Sequence, residues 1–104
     1  MRLNFPLFLC ALAAHLVPHS ALAADAGLDG QRLYATCANC HGTNGVSAGG
    51  PLPTLAGQPK EALVESLKAF RAGTRPATIM HQIAKGYTDE QIETIAAYLA
   101  EQEK

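Results

Sequence analysis

The stretch Cys37-Ala38-Asn39-Cys40-His41 decides how this chain is read. Two thiols three positions apart share one helical turn, and an imidazole follows at once. At that spacing each thiol can bond to one vinyl group of a haem, while the histidine points at the iron from the proximal side. The pattern is that of covalent c-type haem attachment. The expected cofactor is therefore one haem c, bonded through Cys37 and Cys40 and ligated by His41. Three other readings compete. A zinc site needs further cysteines or histidines at ligand spacing. A thioredoxin-like redox pair needs a βαβ pattern. A five-residue pattern can also arise by chance.

Upstream, residues 28–36 read as a short first helix with Leu33 and Tyr34 as bulky contacts. The N-terminus reads as something else. Arg2 supplies a positive start, an apolar run follows from Leu3 to Val17, and Ala21-Leu22-Ala23 places small residues two apart. Together these predict a secretory signal peptide over residues 1–23, cut after Ala23, and a single domain over residues 24–104. An uncleaved membrane anchor is the rival, but the run is short for a span of roughly 20 residues and is interrupted by His15 and Pro18. A lipid anchor on Cys10 would want a small residue where Leu9 stands. Cleavage implies a periplasmic protein with no membrane span. It removes Cys10 and leaves Met80 as the one thioether and His41 and His81 as the histidines, so a zinc site could draw only on His81.

Downstream, Gly42 to Gly57 is rich in glycine and carries Pro51 and Pro53, so it must be loop. Pro59 opens the next helix, where its missing N–H is no loss. Leu63, Leu67 and Phe70 form one face of that helix, and Gly73 and Pro76 end it. A short segment from Ala77 to Lys85 sets Ile79 and Ile83 four apart. The last helix starts at Thr88, where Thr88-Asp89-Glu90-Gln91 fits a capping box. Ile92, Ile95, Ala96 and Leu99 form its buried stripe, flanked by Tyr98. No strand pattern is present, so the fold class is all-α.

With 104 residues, 48% of them hydrophobic, and a net charge of −1, the chain has apolar material for one small core. That charge does not suggest nucleic acid, which wants a basic face. A core this small commonly needs a staple, and two cysteines three apart close almost no loop as a disulfide. A large apolar cofactor would serve. Met80 lies between a helix terminator and the last helix, where a distal ligand to the iron belongs. A Met/His pair raises the potential and suits electron transfer. Met80 could instead fill the core, and His81 could ligate in its place.

These residues resemble the class I cytochromes c over nearly all of residues 24–104. In that family a first helix leads into Cys-x-x-Cys-His, a Pro-x-Leu-x-Gly loop follows, and a methionine precedes the last helix. Here Pro53-Thr54-Leu55-Ala56-Gly57 matches the loop. The resemblance implies that the Pro53 carbonyl accepts a hydrogen bond from the ring N–H of His41, and that Leu55 packs on the haem. It also implies that the first and last helices cross where Gly30 meets Tyr98. More narrowly, Arg75-Pro76-Ala77-Thr78-Ile79-Met80, followed by Ile83-Ala84-Lys85-Gly86-Tyr87, is similar to the cytochrome subunit of flavocytochrome c sulfide dehydrogenase. Many members of that group carry two haem domains, and this chain has a single Cys-x-x-Cys-His.

The resemblance implies a single-haem electron-transfer subunit with no catalysis of its own, partnered by a flavoprotein that oxidises sulfide. A free periplasmic shuttle, passing electrons among other redox proteins to an oxidase or peroxidase, would use the same motifs. An obligate subunit should show an apolar patch near the haem edge, to which Pro76, Ile79 and Tyr87 could contribute. A haem sensor or enzyme with an open iron site remains a third reading, and it requires Met80 not to bind.

Overall fold

No proline interrupts the sequence between Ser20 and His41, and one long helix forms there. The structure, a computed structural model, describes residues 20–104, and α1 runs unbroken over Ser20–His41. The segment read as a signal peptide lies outside the described residues except for its last four, which join this helix. The first helix was expected over 28–36 alone. It continues through both cysteines because its buried face does: Gly30, Tyr34 and His41 are buried, with Cys37 and Ala38 half-buried between them, at the i, i+4, i+7, i+11 spacing of one helical stripe. Gly42 then ends it. Its φ of +83° is one that L side chains rarely adopt, and a Cβ there would stand 1.7 Å from the Val46 carbonyl oxygen.

A tight turn over Thr43–Gly45 and an open loop lead to α2, Lys60–Ala72. Pro59 precedes the first helical residue, and its carbonyl accepts from Leu63 N at 3.2 Å. Leu63 is buried in the core, whereas Leu67 and Phe70 are only half-buried, and the Arg75 guanidinium lies 4.7 Å over the Phe70 ring. Gly73, left-handed at φ +75°, closes α2. Next is α3, five residues over Met80–Ala84. Ile79 and Ile83, four apart in the sequence, do not share a helical face. Ile79 precedes the helix with a non-helical backbone and is 58% exposed, and Ala84 is the fully buried residue of α3.

The last helix, α4, spans Asp89–Ala100. Thr88 caps it with both halves of a capping box: Thr88 Oγ1 accepts from Gln91 N at 3.2 Å, and Gln91 Oε1 accepts from Thr88 N at 3.0 Å. Ile92, Ile95, Ala96 and Leu99 are all buried on its inner face. They join Tyr34 and Leu63 in the buried set, and Tyr34, Leu63, Ile95, Ala96 and Leu99 make up the central cluster. There is no strand among the described residues, so the fold is all-α.

The helices pack in series. α1 lies on α4, α4 on α2, and α2 on α3, and no packing of comparable extent joins α1 to α3. The α1–α4 crossing is close because Gly30 has no side chain: a Cβ there would fall 2.5 Å from Tyr98 Cβ. The Tyr34 and Tyr98 rings sit beside that crossing, 5.7 Å apart and tilted by 40°. Along the α2–α4 seam, Lys60 and Lys68 pair with Glu93 at 2.9 and 3.8 Å, and Arg71 pairs with Asp89. These pairs are exposed and each adds little. Arg71 does more, because its other nitrogen donates to the Tyr87 carbonyl at 3.1 Å. The end of α2 thus grips both sides of the α4 cap.

Candidate haem-binding site

The last two turns of α1 carry Cys37, Cys40 and His41. Both thiols are free; Cys37 is half-buried and Cys40 exposed. Burial pushes the Cys37 thiol above its ordinary value, partly offset by a hydrogen bond with Tyr87. His41 is 7% exposed and is the one buried polar or charged side chain among the described residues. Its Nδ1 and the Pro53 carbonyl oxygen lie 2.9 Å apart. A carbonyl can only accept, so the proton belongs on Nδ1 and the lone pair of the neutral ring on Nε2.

The loop that brings Pro53 to the ring is held at several points. The Gly45 carbonyl accepts from Leu55 N at 2.8 Å and from Ala56 N at 3.1 Å. The Gly57 N–H donates to the Leu99 carbonyl at 2.9 Å, tying the loop to α4. The Tyr34 hydroxyl donates to the Gly42 carbonyl at 2.7 Å, and the Tyr98 hydroxyl donates to Asn44 Oδ1 at 2.7 Å. Asn44 itself has a left-handed backbone, φ 56°. Leu55 is half-buried against the core cluster. Burial pushes the Tyr34 hydroxyl up to about 12.

Met80 is the half-buried first residue of α3, a helix packed chiefly on α2. The structure therefore brings Cys37, Cys40, His41, Pro53 and Leu55 into one half of the site and places Met80 on a separately supported element. Tyr87 is not part of an exposed patch. Its hydroxyl faces the Leu33 carbonyl at 3.4 Å, and burial raises it. Pro76 and Ile79 are exposed. No local signal marks the inward turn of Tyr87, since its partner lies 54 positions away. Tyr34 was legible as a contact but not as the donor that fixes the turn after His41.

The donor set fits a haem. It comprises two free thiols on one helix, a buried imidazole with Nδ1 already satisfied, and a thioether further along the chain. Among the described residues no three His, Cys, Asp or Glu side chains gather as a metal cluster. Residues 28–103 match the model of the family described as Cytochrome c.

The chain belongs to the cytochrome c family. Its fold is that of the class I cytochromes c, and the family's cofactor, covalently bound haem c, matches the Cys37-x-x-Cys40-His41 motif. It is 47% identical over 74 residues to a cytochrome c-552 of Acidithiobacillus ferridurans, covering 71% of this chain and 31% of that one. It is 42% identical over 69 residues to the cytochrome subunit of sulfide dehydrogenase of Chlorobaculum tepidum, covering 66% and 62%. The cytochrome c4 structure from Acidithiobacillus ferrooxidans superimposes with a TM-score of 0.68 at 37% identity, over 72% of this chain and 48% of that one. The chain thus spans less than two thirds of each of these relatives. Among the described residues no helix is long and apolar enough to cross a membrane.

Proposed function

We propose that this cytochrome carries single electrons, with Cys37 and Cys40 as the thioether attachment points and His41 and Met80 as the iron's axial ligands. The observation that carries this reading is the imidazole: buried, pinned at Nδ1 by the Pro53 carbonyl, and on the same helix as two free thiols. When bound, haem c supplies the one-electron couple between ferric and ferrous iron. The protein's residues do the rest. The pinned Nδ1–H holds His41 in one tautomer with Nε2 ready to donate. α1 holds the thiols one turn apart, Leu55 adds an apolar wall, and α3 brings up a soft sulfur donor.

Met80→Ala tests the carrier reading. The covalent attachment should survive, because α1 is untouched. The sulfur-to-iron charge-transfer band in the red should vanish, the potential should fall, and carbon monoxide should bind more readily. An unchanged spectrum and potential would exclude Met80 as ligand and turn attention to His81. Rapid carbon monoxide binding by the unaltered protein would favour an open-site sensor or enzyme.

The finer proposal is a haem subunit of a sulfide-oxidising flavocytochrome c complex, exported to the periplasm with residues 1–23 removed. It is supported by the similarity to the Chlorobaculum tepidum subunit and by the Ile79 to Tyr87 stretch around Met80. A free-standing shuttle is the second reading, favoured by the comparable similarity to cytochrome c-552 and cytochrome c4. Co-purification with a flavoprotein, and reduction by it in the presence of sulfide, separates the two. A stable monomer left oxidised by that flavoprotein would exclude the subunit.

A further inference from the structure

The carbonyl that pins His41 has little to hold it on its upstream side. Pro53 is exposed and has no N–H with which to anchor itself. Residues 48–52 before it are all exposed, with Gly49 and Gly50 at φ +110° and +78°. Orientation must therefore come from downstream. The Pro53 C=O shares one planar peptide unit with the nitrogen and Cα of Thr54, so wherever Thr54 is fixed, the carbonyl points accordingly.

Thr54 is fixed twice. Its Oγ1 accepts from Ser47 N at 3.1 Å, which closes the neck of the exposed excursion. Its carbonyl accepts from Gln58 Nε2 at 2.7 Å. The next residue continues the anchoring through Leu55 N to the Gly45 carbonyl at 2.8 Å. The threonine hydroxyl is the nearest side-chain anchor to the carbonyl that faces Nδ1.

We propose that Thr54 is a positioning residue: by closing the loop neck with Ser47 it aims the Pro53 carbonyl at His41 and so sets how strongly the imidazole donates to iron. This rests on the reading of His41 as the proximal ligand. A ring N–H held firmly by a carbonyl makes the other nitrogen more basic. A more basic ligand favours ferric iron, so a looser carbonyl raises the potential.

The experiment compares the holoprotein with Thr54→Val and Thr54→Ser, reading midpoint potential and, by NMR, solvent exchange of the His41 ring proton. Valine keeps the shape and removes the acceptor. It should raise the potential and speed ring-proton exchange about tenfold, the scale of one net hydrogen bond. Serine should restore both values. A role confined to stability would lower the unfolding midpoint without moving either reading. Unchanged potential and exchange in Thr54→Val, or equal shifts in valine and serine, would overturn the proposal. Should Thr54→Val fail to mature, Gln58→Ala loosens the same residue from its other side, with the same expected direction and the same overturning result. Failure of the underlying ligand reading is visible separately, as a wild type whose His41 ring proton shows no haem-induced shift.

Discussion

Tyr34 is 2% exposed and spends its hydroxyl on the Gly42 carbonyl, immediately beyond the motif histidine. Two effects follow from that one oxygen. Tyr34→Phe removes the donor and leaves the carbonyl underused, so at neutral pH the unfolding free energy should drop by about 1 kcal/mol. Burial also raises the phenol from 10.0 to about 12 in the folded chain. The folded state then holds its proton more tightly than the unfolded one, so the associated stability is intact below pH 10 and drains away as pH climbs toward 12. Thermal midpoints taken across that window should fall more steeply in the wild type than in Tyr34→Phe, and parallel curves would contradict the assignment. At this scale the sequence was informative where chemistry is written in adjacent residues, as in Cys37, Cys40 and His41. It was silent where partners are distant: nothing near Tyr87 says that its hydroxyl turns toward Leu33.

Among the elements, α4 was fully legible and α3 was not, for a physical reason. The signals of α4 are local: a capping box within four residues and an apolar stripe at helical spacing, both present as read. Thr88→Ala removes the acceptor for Gln91 N and should cost about 1 kcal/mol by denaturant unfolding. An unaltered midpoint would mean that the Arg71 bonds to the Tyr87 carbonyl and Asp89 hold the cap alone. By contrast, the five residues of α3 offer too few turns for periodicity to show a face, and Ile79 ended outside it. α1 extends past residue 36 because its later turns pack Cys37 and Ala38 against the core cluster and bury His41, a non-local cause. The Pro53–His41 contact was legible only through family resemblance, since a separation of 12 positions through turn and loop carries no periodicity to place it.

At the scale of the whole molecule, the serial packing of α1 on α4, α4 on α2 and α2 on α3 makes a clasp with two jaws. One jaw is the long helix with both thiols and the imidazole. The other is a five-residue helix bearing the thioether, clipped on through Ala84 and the Arg71 grip on the turn beyond it. A clasp of this kind has a weak side and a strong side. Under mild denaturant the backbone amides of Gln82 and Ile83 should lose their deuterium protection well before those of Ile95 and Leu99, because α3 buries one small residue and α4 buries four. Simultaneous loss across both helices would show a single cooperative unit instead. If the two jaws do let go in that order, the protein can release the Met80 side chain while the helix that carries Cys37, Cys40 and His41 stays in place.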